Sequence, residues 1–151
     1  MNATASHETF TIERVYPNCL AHVWASWSVR EKKAAWIGSD ALEMDFRPGG
    51  EERGAFEDAR GTHVNEGRYF EIAEQERIVL AYSMSVNGRV HTVSLATVLF
   101  SDEGGGTRVR YSEQMIVIPP SDGVAGRRAG WEHLLDGLER YLIADTPGRP
   151  S

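Results

Sequence analysis

Large apolar residues recur at every second position over residues 77–86, where Ile78, Leu80, Tyr82, Met84 and Val86 share one face of a β-strand. The Asn87-Gly88 pair that follows favours a two-residue hairpin turn, so residues 90–100, apolar on both faces, pair back as the next strand. The glycine-rich stretch 102–106 links this strand to another at 107–118. Nearer the N-terminus, Phe10, Ile12, Arg14 and Tyr16 alternate with Thr11, Glu13 and Val15 until Pro17 ends the run. Leu42, Met44 and Phe46 share a face over residues 41–46, closed by Pro48-Gly49-Gly50. Residues 53–59, with Phe56 on one face, form a further strand, which breaks at 58–61 and resumes as another at 67–72.

Three segments carry the helical period instead. Asn18 is suited to cap a helix whose apolar positions are Leu20, Val23, Trp24 and Trp27. Ser28, with Glu31 three residues on, reads as a capping box opening a second short helix that Gly38 stops. After Pro119-Pro120, Ser121 or Asp122 caps a helix over residues 123–144. Its stripe is Trp131, Leu134, Leu135, Leu138 and Leu142, with Arg128, Glu132, Asp136, Glu139 and Arg140 over much of the remainder. Roughly 20 residues at 1.5 Å give about 30 Å, enough to lie across a whole sheet. Such a helix must bury its stripe, because an isolated one is marginal in water. The predicted order is one strand, two short helices, six strands and one long helix: an α+β domain with a curved antiparallel sheet and a cavity beneath the last helix.

The length of 151 residues suits one domain, with its core at about 9–144 and a mobile tail at 147–151. The single cysteine, Cys19, excludes an internal disulfide and fits a reducing compartment. The first ten residues lack the basic and apolar regions of a signal peptide, and no run approaches a membrane span, so a cytoplasmic location is expected. The net charge of −6, with 22 acids interspersed among 16 bases, argues against nucleic acid as a partner. The densest basic pair, Arg127-Arg128, reads as a solvated face.

Five segments in order, FTIERVYPNCLAHVWASWS, LEMDFRPGG, HVNEGRYFEIAEQERIVLAY, GGGTRVRYSEQ and GWEHLLDGLERYL, resemble the Activator of Hsp90 ATPase homologue 1-like family of the START-like, or polyketide cyclase and dehydrase, superfamily. The resemblance spans about residues 9–142. It implies a helix-grip (START-like, Bet v 1-like) fold: a curved seven-stranded antiparallel sheet around the long C-terminal helix, with the two short helices closing one end. It also implies an elongated cavity, which in various relatives holds lipids, hormones or polyketides and sometimes supports cyclisation or dehydration. It carries no shared catalytic constellation, and a domain of this length does not imply Hsp90 binding. One departure stands out. Family members often have an aromatic residue and an arginine after the paired glycines, whereas here Glu52 precedes Arg53, implying a more acidic local surface.

Among the indoles, Trp24, Trp27 and Trp131 suit core packing, while Trp36, beside the exit of the second helix, suits a cavity mouth. Strand parity groups Tyr82 with Met84, then His91 with Val93 and Leu95, then Tyr111 with Glu113 and Met115. Glu113, between two large side chains, is either a half-buried general acid with a raised pKa or a strand carboxylate paired with Arg53 or Arg110. His91 is either a pocket base or a hydrogen-bonded surface histidine. His7, His22, His63, His91 and His133 lack metal-ligand spacing, and Cys19 beside His22 lacks an orienting acid, so neither a metal nor a thiol nucleophile is expected. Gly104-Gly105-Gly106 has no helix behind it to receive phosphate, and no cofactor is expected.

Three functional classes follow. The leading one is binding of a hydrophobic or amphipathic small molecule, with Trp36, Phe56, Tyr82, Met115, Trp131 and Leu135 as wall and Arg53, His91 and Glu113 orienting it. The second is a cyclase or dehydratase using Glu113 or His91 as acid or base. The third is a protein-interaction module, as a homodimer or chaperone adaptor, marked by an exposed apolar patch.

Overall fold

The computed structural model describes residues 4–145; the tail expected to be mobile lies outside the described residues. Seven strands form one antiparallel sheet: β1 (Ser6–Tyr16), β2 (Glu43–Met44), β3 (Glu51–Asp58), β4 (Gly61–Ala73), β5 (Arg77–Val86), β6 (Arg89–Glu103) and β7 (Gly106–Val117). Their spatial order is β1-β7-β6-β5-β4-β3-β2, so β2 to β7 form a meander and β1 pairs with its far end. Helices α1 (Leu20–Ser28) and α2 (Arg30–Ile37) carry the chain from β1 at one edge to β2 at the other, and α3 (Gly123–Ala144) follows β7. This is the helix-grip topology.

The hairpins sit where turn chemistry places them. Asn87 and Gly88 both have positive φ, 51° and 82°, as a tight hairpin with the right twist requires. At the β2–β3 connection the chain folds so tightly that a Cβ on Gly50 would lie 2.0 Å from the Asp45 carbonyl oxygen, so only glycine fits there. That tightness also limits β2 to two residues, shorter than the 41–46 run predicted.

At two of the expected caps, Asn18 and Asp122, long-range contacts take the side chain. The Asn18 Nδ2 donates across the molecule to the Leu142 carbonyl at 3.2 Å, and Cys19 stands at the start of α1 with no side-chain cap. Ser28 belongs to the last turn of α1, and the single extended residue Val29 precedes α2, so the Ser28–Glu31 box does not form. Asp122 begins α3 but its carboxylate pairs with Arg60 at 3.2 Å instead of capping, while Ser121 Oγ accepts from the Gly123 N–H at 3.1 Å.

The core divides along α3. Leu135, Leu138 and Leu142 are fully buried against Tyr16, Val23, Trp24, Trp27 and Phe100. Here α2 comes close: a Cβ on Gly137 would sit 3.1 Å from the Trp36 carbonyl oxygen. Two turns earlier Gly130, at the edge of the cavity wall, is exposed, and a Cβ there would meet nothing within 4 Å. Side-chain volume therefore closes one end of the sheet and leaves the other hollow.

Candidate ligand-binding site

The hollow end holds a cavity of about 950 Å³ between the concave face of the sheet and the first three turns of α3. Its wall is mostly apolar and aromatic, contributed by Ile78, Leu80, Met84, Trp27, Tyr111 and Trp131 among others. Tyr111 stacks on Trp131 with ring centroids 4.0 Å apart, and Trp131 in turn lies parallel to Trp27 at 6.1 Å, giving a continuous aromatic surface. On α3 the lining includes Gly123, Gly126 and Gly130, so the helix itself takes little of the space.

A buried ion pair supports one wall. β7 turns Tyr111 and Glu113 inward, and Glu113 is fully buried opposite Ala96 of β6, whose small side chain leaves room for the carboxylate. Tyr82 and Tyr111 donate to its Oε1 at 2.7 and 2.6 Å, while Ser94 and Arg127 Nη1 donate to Oε2 at 2.5 and 2.6 Å. All its acceptor positions are thus filled, as a carboxylate removed from water requires. Burial, reinforced by nearby negative charge, pushes both phenols well above the usual tyrosine range, so both stay protonated and remain donors. Arg127 also donates from Nη2 to Thr92 Oγ1 and lies 5.4 Å from the Tyr82 ring centroid, a cation–π contact.

A second ion pair lies on the opposite side. Lys33 of α2, 5% exposed, reaches Glu52 of β3, 8% exposed, at 2.6 Å, and the Tyr69 hydroxyl donates to the same carboxylate. Lys33 Nζ lies 5.7 Å from the Trp27 ring centroid. At the rim, Arg60 from the β3–β4 turn meets Asp122 at the start of α3, and His63 bonds Asp58 at 2.8 Å while stacking on Phe56 at 4.5 Å.

His91 reaches the cavity through a defect in the ladder. Met84 pairs with Thr92 and Ser85 with Val90, so His91 is the extra residue of a β-bulge. The bulge separates it from the residues that simple parity groups with it: His91 lines the cavity, whereas Val93 and Leu95 are 44% and 41% exposed on the outer face. Burial, then the Arg127 charge, pushes the His91 imidazole below its ordinary value, and its Nδ1 is buried without a hydrogen-bond partner among the described residues.

Of the residues singled out from sequence, Phe56, Tyr82 and Trp131 line the cavity with His91, and Glu113 sits directly behind the wall. Four others lie elsewhere. Trp36 is in the core, with its Nε1 donating to the Ser26 carbonyl at 2.7 Å. Met115, opposite Ser94 on β7, and Leu135, in the packed half of α3, are both buried in the core, and it is Leu134, one step round the helix, that lines the cavity. Arg53 is half exposed, 3.7 Å from Glu66, and neither it nor Arg110, which faces Glu13, is the partner of Glu113. That partner, Arg127, does not lie on a solvated face. A signal for it exists: residues 127, 131, 134 and 138 follow one helical stripe, which places Arg127 in line with Trp131. Lys33 carries no comparable sequence signal. Among the described residues no three His, Cys, Asp or Glu side chains gather as a metal site, and no helix is long and apolar enough to cross a membrane.

Residues 20–143 match the family described as Activator of Hsp90 ATPase homolog 1-like protein. Among solved structures, the chain is similar to a protein of Rhizobium leguminosarum at 33% identity and a TM-score of 0.91, over 96% of this chain and 100% of that one. It is similar to the Mll3558 protein of Rhizobium loti at 32% identity and a TM-score of 0.85, over 92% of this chain and 99% of that one. Protein SA2116 of Staphylococcus aureus shares the fold at 17% identity, with a TM-score of 0.77 over 94% of this chain and 97% of that one. No curated protein matches.

Proposed function

The chain belongs to the Activator of Hsp90 ATPase homolog 1-like family, and on that premise we propose that it binds an apolar or amphipathic small molecule between the sheet and the N-terminal half of α3. The observation that carries this reading is the cavity: about 950 Å³, at the upper end of the range that holds drug-sized molecules, with a mostly apolar wall and a few convergent polar groups. Burial of an aromatic or aliphatic body supplies the affinity, at about 25 cal/mol per Å² of apolar surface removed from water. The polar groups orient it. In this reading Glu113 is a positioning group: with four donors on its carboxylate it holds Arg127 and two tyrosine hydroxyls in place on the wall instead of exchanging protons with a ligand.

Native mass spectrometry of gently purified protein, followed by denaturing extraction, tests the proposal, together with titration of the purified protein by a naphthalene-sized fluorescent probe. The expected result is a stoichiometric adduct or saturable uptake of one probe per chain. Absence of an adduct together with no saturable uptake would overturn it.

A further inference from the structure

The charges around the cavity narrow the chemistry of what it holds. Each lysine and arginine on its wall has a carboxylate against it: Lys33 has Glu52 at 2.6 Å, Arg127 has Glu113 at 2.6 Å, and Arg60 has Asp122 at 3.2 Å and Asp58 at 3.5 Å. His63 also faces Asp58. His91, with no carboxylate bonded to it and held down by burial and by Arg127, is neutral near pH 7. A ligand carboxylate or phosphate entering this space would lose its water without gaining an uncompensated positive charge.

Hydrogen-bond donors, in contrast, are left over. A guanidinium carries five N–H groups. The bonds Arg127 makes to Glu113, Tyr82, Ser94 and Thr92 all come from Nη1 and Nη2, and Nε has no acceptor among the described residues. Arg127 lines the cavity beside His91, next to the stacked Tyr111–Trp131 surface. The guanidinium cannot swing out to water, because the Glu113, Tyr82, Ser94 and Thr92 contacts hold it, so the donors are fixed in position before any ligand arrives.

From these two observations we infer that the site selects an uncharged aromatic molecule bearing a hydrogen-bond acceptor oxygen, as in a ketone or amide, with that oxygen on Arg127 and the ring system against Tyr111 and Trp131. This rests on the ligand-binding reading above and specifies its chemistry. Neutralisation by Glu113 is the feature that turns Arg127 from an anion receptor into a donor for neutral oxygen.

Three probes of nearly one shape separate the possibilities: 2-acetonaphthalene, which carries a neutral acceptor; 2-isopropenylnaphthalene, which replaces that oxygen by carbon; and 2-naphthoate, which carries a charge. Dissociation constants for the wild-type chain, read from tryptophan fluorescence at pH 7.5, are expected to rank acetyl tightest, with about a tenfold advantage over isopropenyl from a hydrogen bond to a charged donor. A merely greasy cavity would favour isopropenyl, so isopropenyl binding as tightly as acetyl, or more tightly, overturns the inference on the oxygen. Naphthoate binding tightest overturns it on the charge. In either case the cavity remains a binding site, whereas failure of all three probes to saturate removes the binding reading together with this one. Glu113→Gln sharpens the test by leaving the guanidinium unneutralised: in a variant whose near-UV circular dichroism matches wild type, naphthoate should gain about tenfold relative to acetonaphthalene. An unchanged ratio in that folded variant would contradict the role given to Glu113.

Discussion

The two halves of α3 face the same sheet with opposite consequences. From Leu135 to Leu142 the helix presents buried leucines to a core of indole and phenyl rings, and α2 closes in until a Cβ at Gly137 would press on the Trp36 carbonyl oxygen at 3.1 Å. From Gly123 to Leu134 it presents glycines, one arginine and a half-buried tryptophan to an open cavity. One element thus serves as core and as cavity roof, and side-chain volume on its inward stripe decides which. The hollow half carries a group that an all-apolar core would reject, the Arg127–Glu113 pair.

The largest effect expected from breaking this division falls on that ion pair. Glu113→Ala leaves the half-buried Arg127 without its counter-charge and should cost about 3–5 kcal/mol in urea denaturation, the range for removing one partner of a buried pair. A loss under about 1 kcal/mol would mean that water already reaches Arg127 freely. Next is Leu138→Ala in the packed half, which should cost about 2–5 kcal/mol by opening a void where no ligand or water compensates. Gly130→Leu separates the halves most sharply: it adds volume where a Cβ meets nothing, so stability should hold or rise by up to about 0.8 kcal/mol from helix propensity while probe binding is lost. If Gly130→Leu binds the probe as wild type does, the ligand does not reach the Gly130 part of the wall.

The smallest effect concerns pH. Burial, then the Arg127 charge, holds the His91 imidazole below its ordinary value of 6.5, so on acidification the unfolded chain takes up that proton first. The stability associated with neutral His91 is therefore fully present above about 6.5 and declines as pH falls through the lower folded value. His91→Gln should flatten the fall in melting temperature over that window. A slope identical to that of wild type would show that His91 is solvated in the folded state.

Most of the fold was legible from local pattern. The Asn87-Gly88 hairpin, the period-two runs of β1, β5 and β7 and the long stripe of α3 each follow from chemistry within a few residues, and the family resemblance supplied their arrangement. The site was harder to read, because its determinants are distant in sequence. Phe56, Tyr82 and Trp131 reach the cavity, but the bulge at His91 reverses parity within β6, and such a bulge is set by pairing across two strands. Arg127 and Glu113 are brought together only when α3 folds over β7. The same holds for Lys33 and Glu52, where α2 meets β3. The missing side-chain caps have a related cause: Asn18 and Asp122 are suited by type to capping, and long-range partners take their side chains.

Amide and indole chemical shifts recorded during titration with 2-acetonaphthalene would show whether a small molecule binds beneath the hollow half of α3. Saturable shifts are expected at Gly126, Gly130, Trp131 and the Tyr82 and Tyr111 strands, with Leu138 and Leu142 unmoved. Shifts confined to Val93 and Leu95 on the outer face, or none that saturate, would contradict binding there.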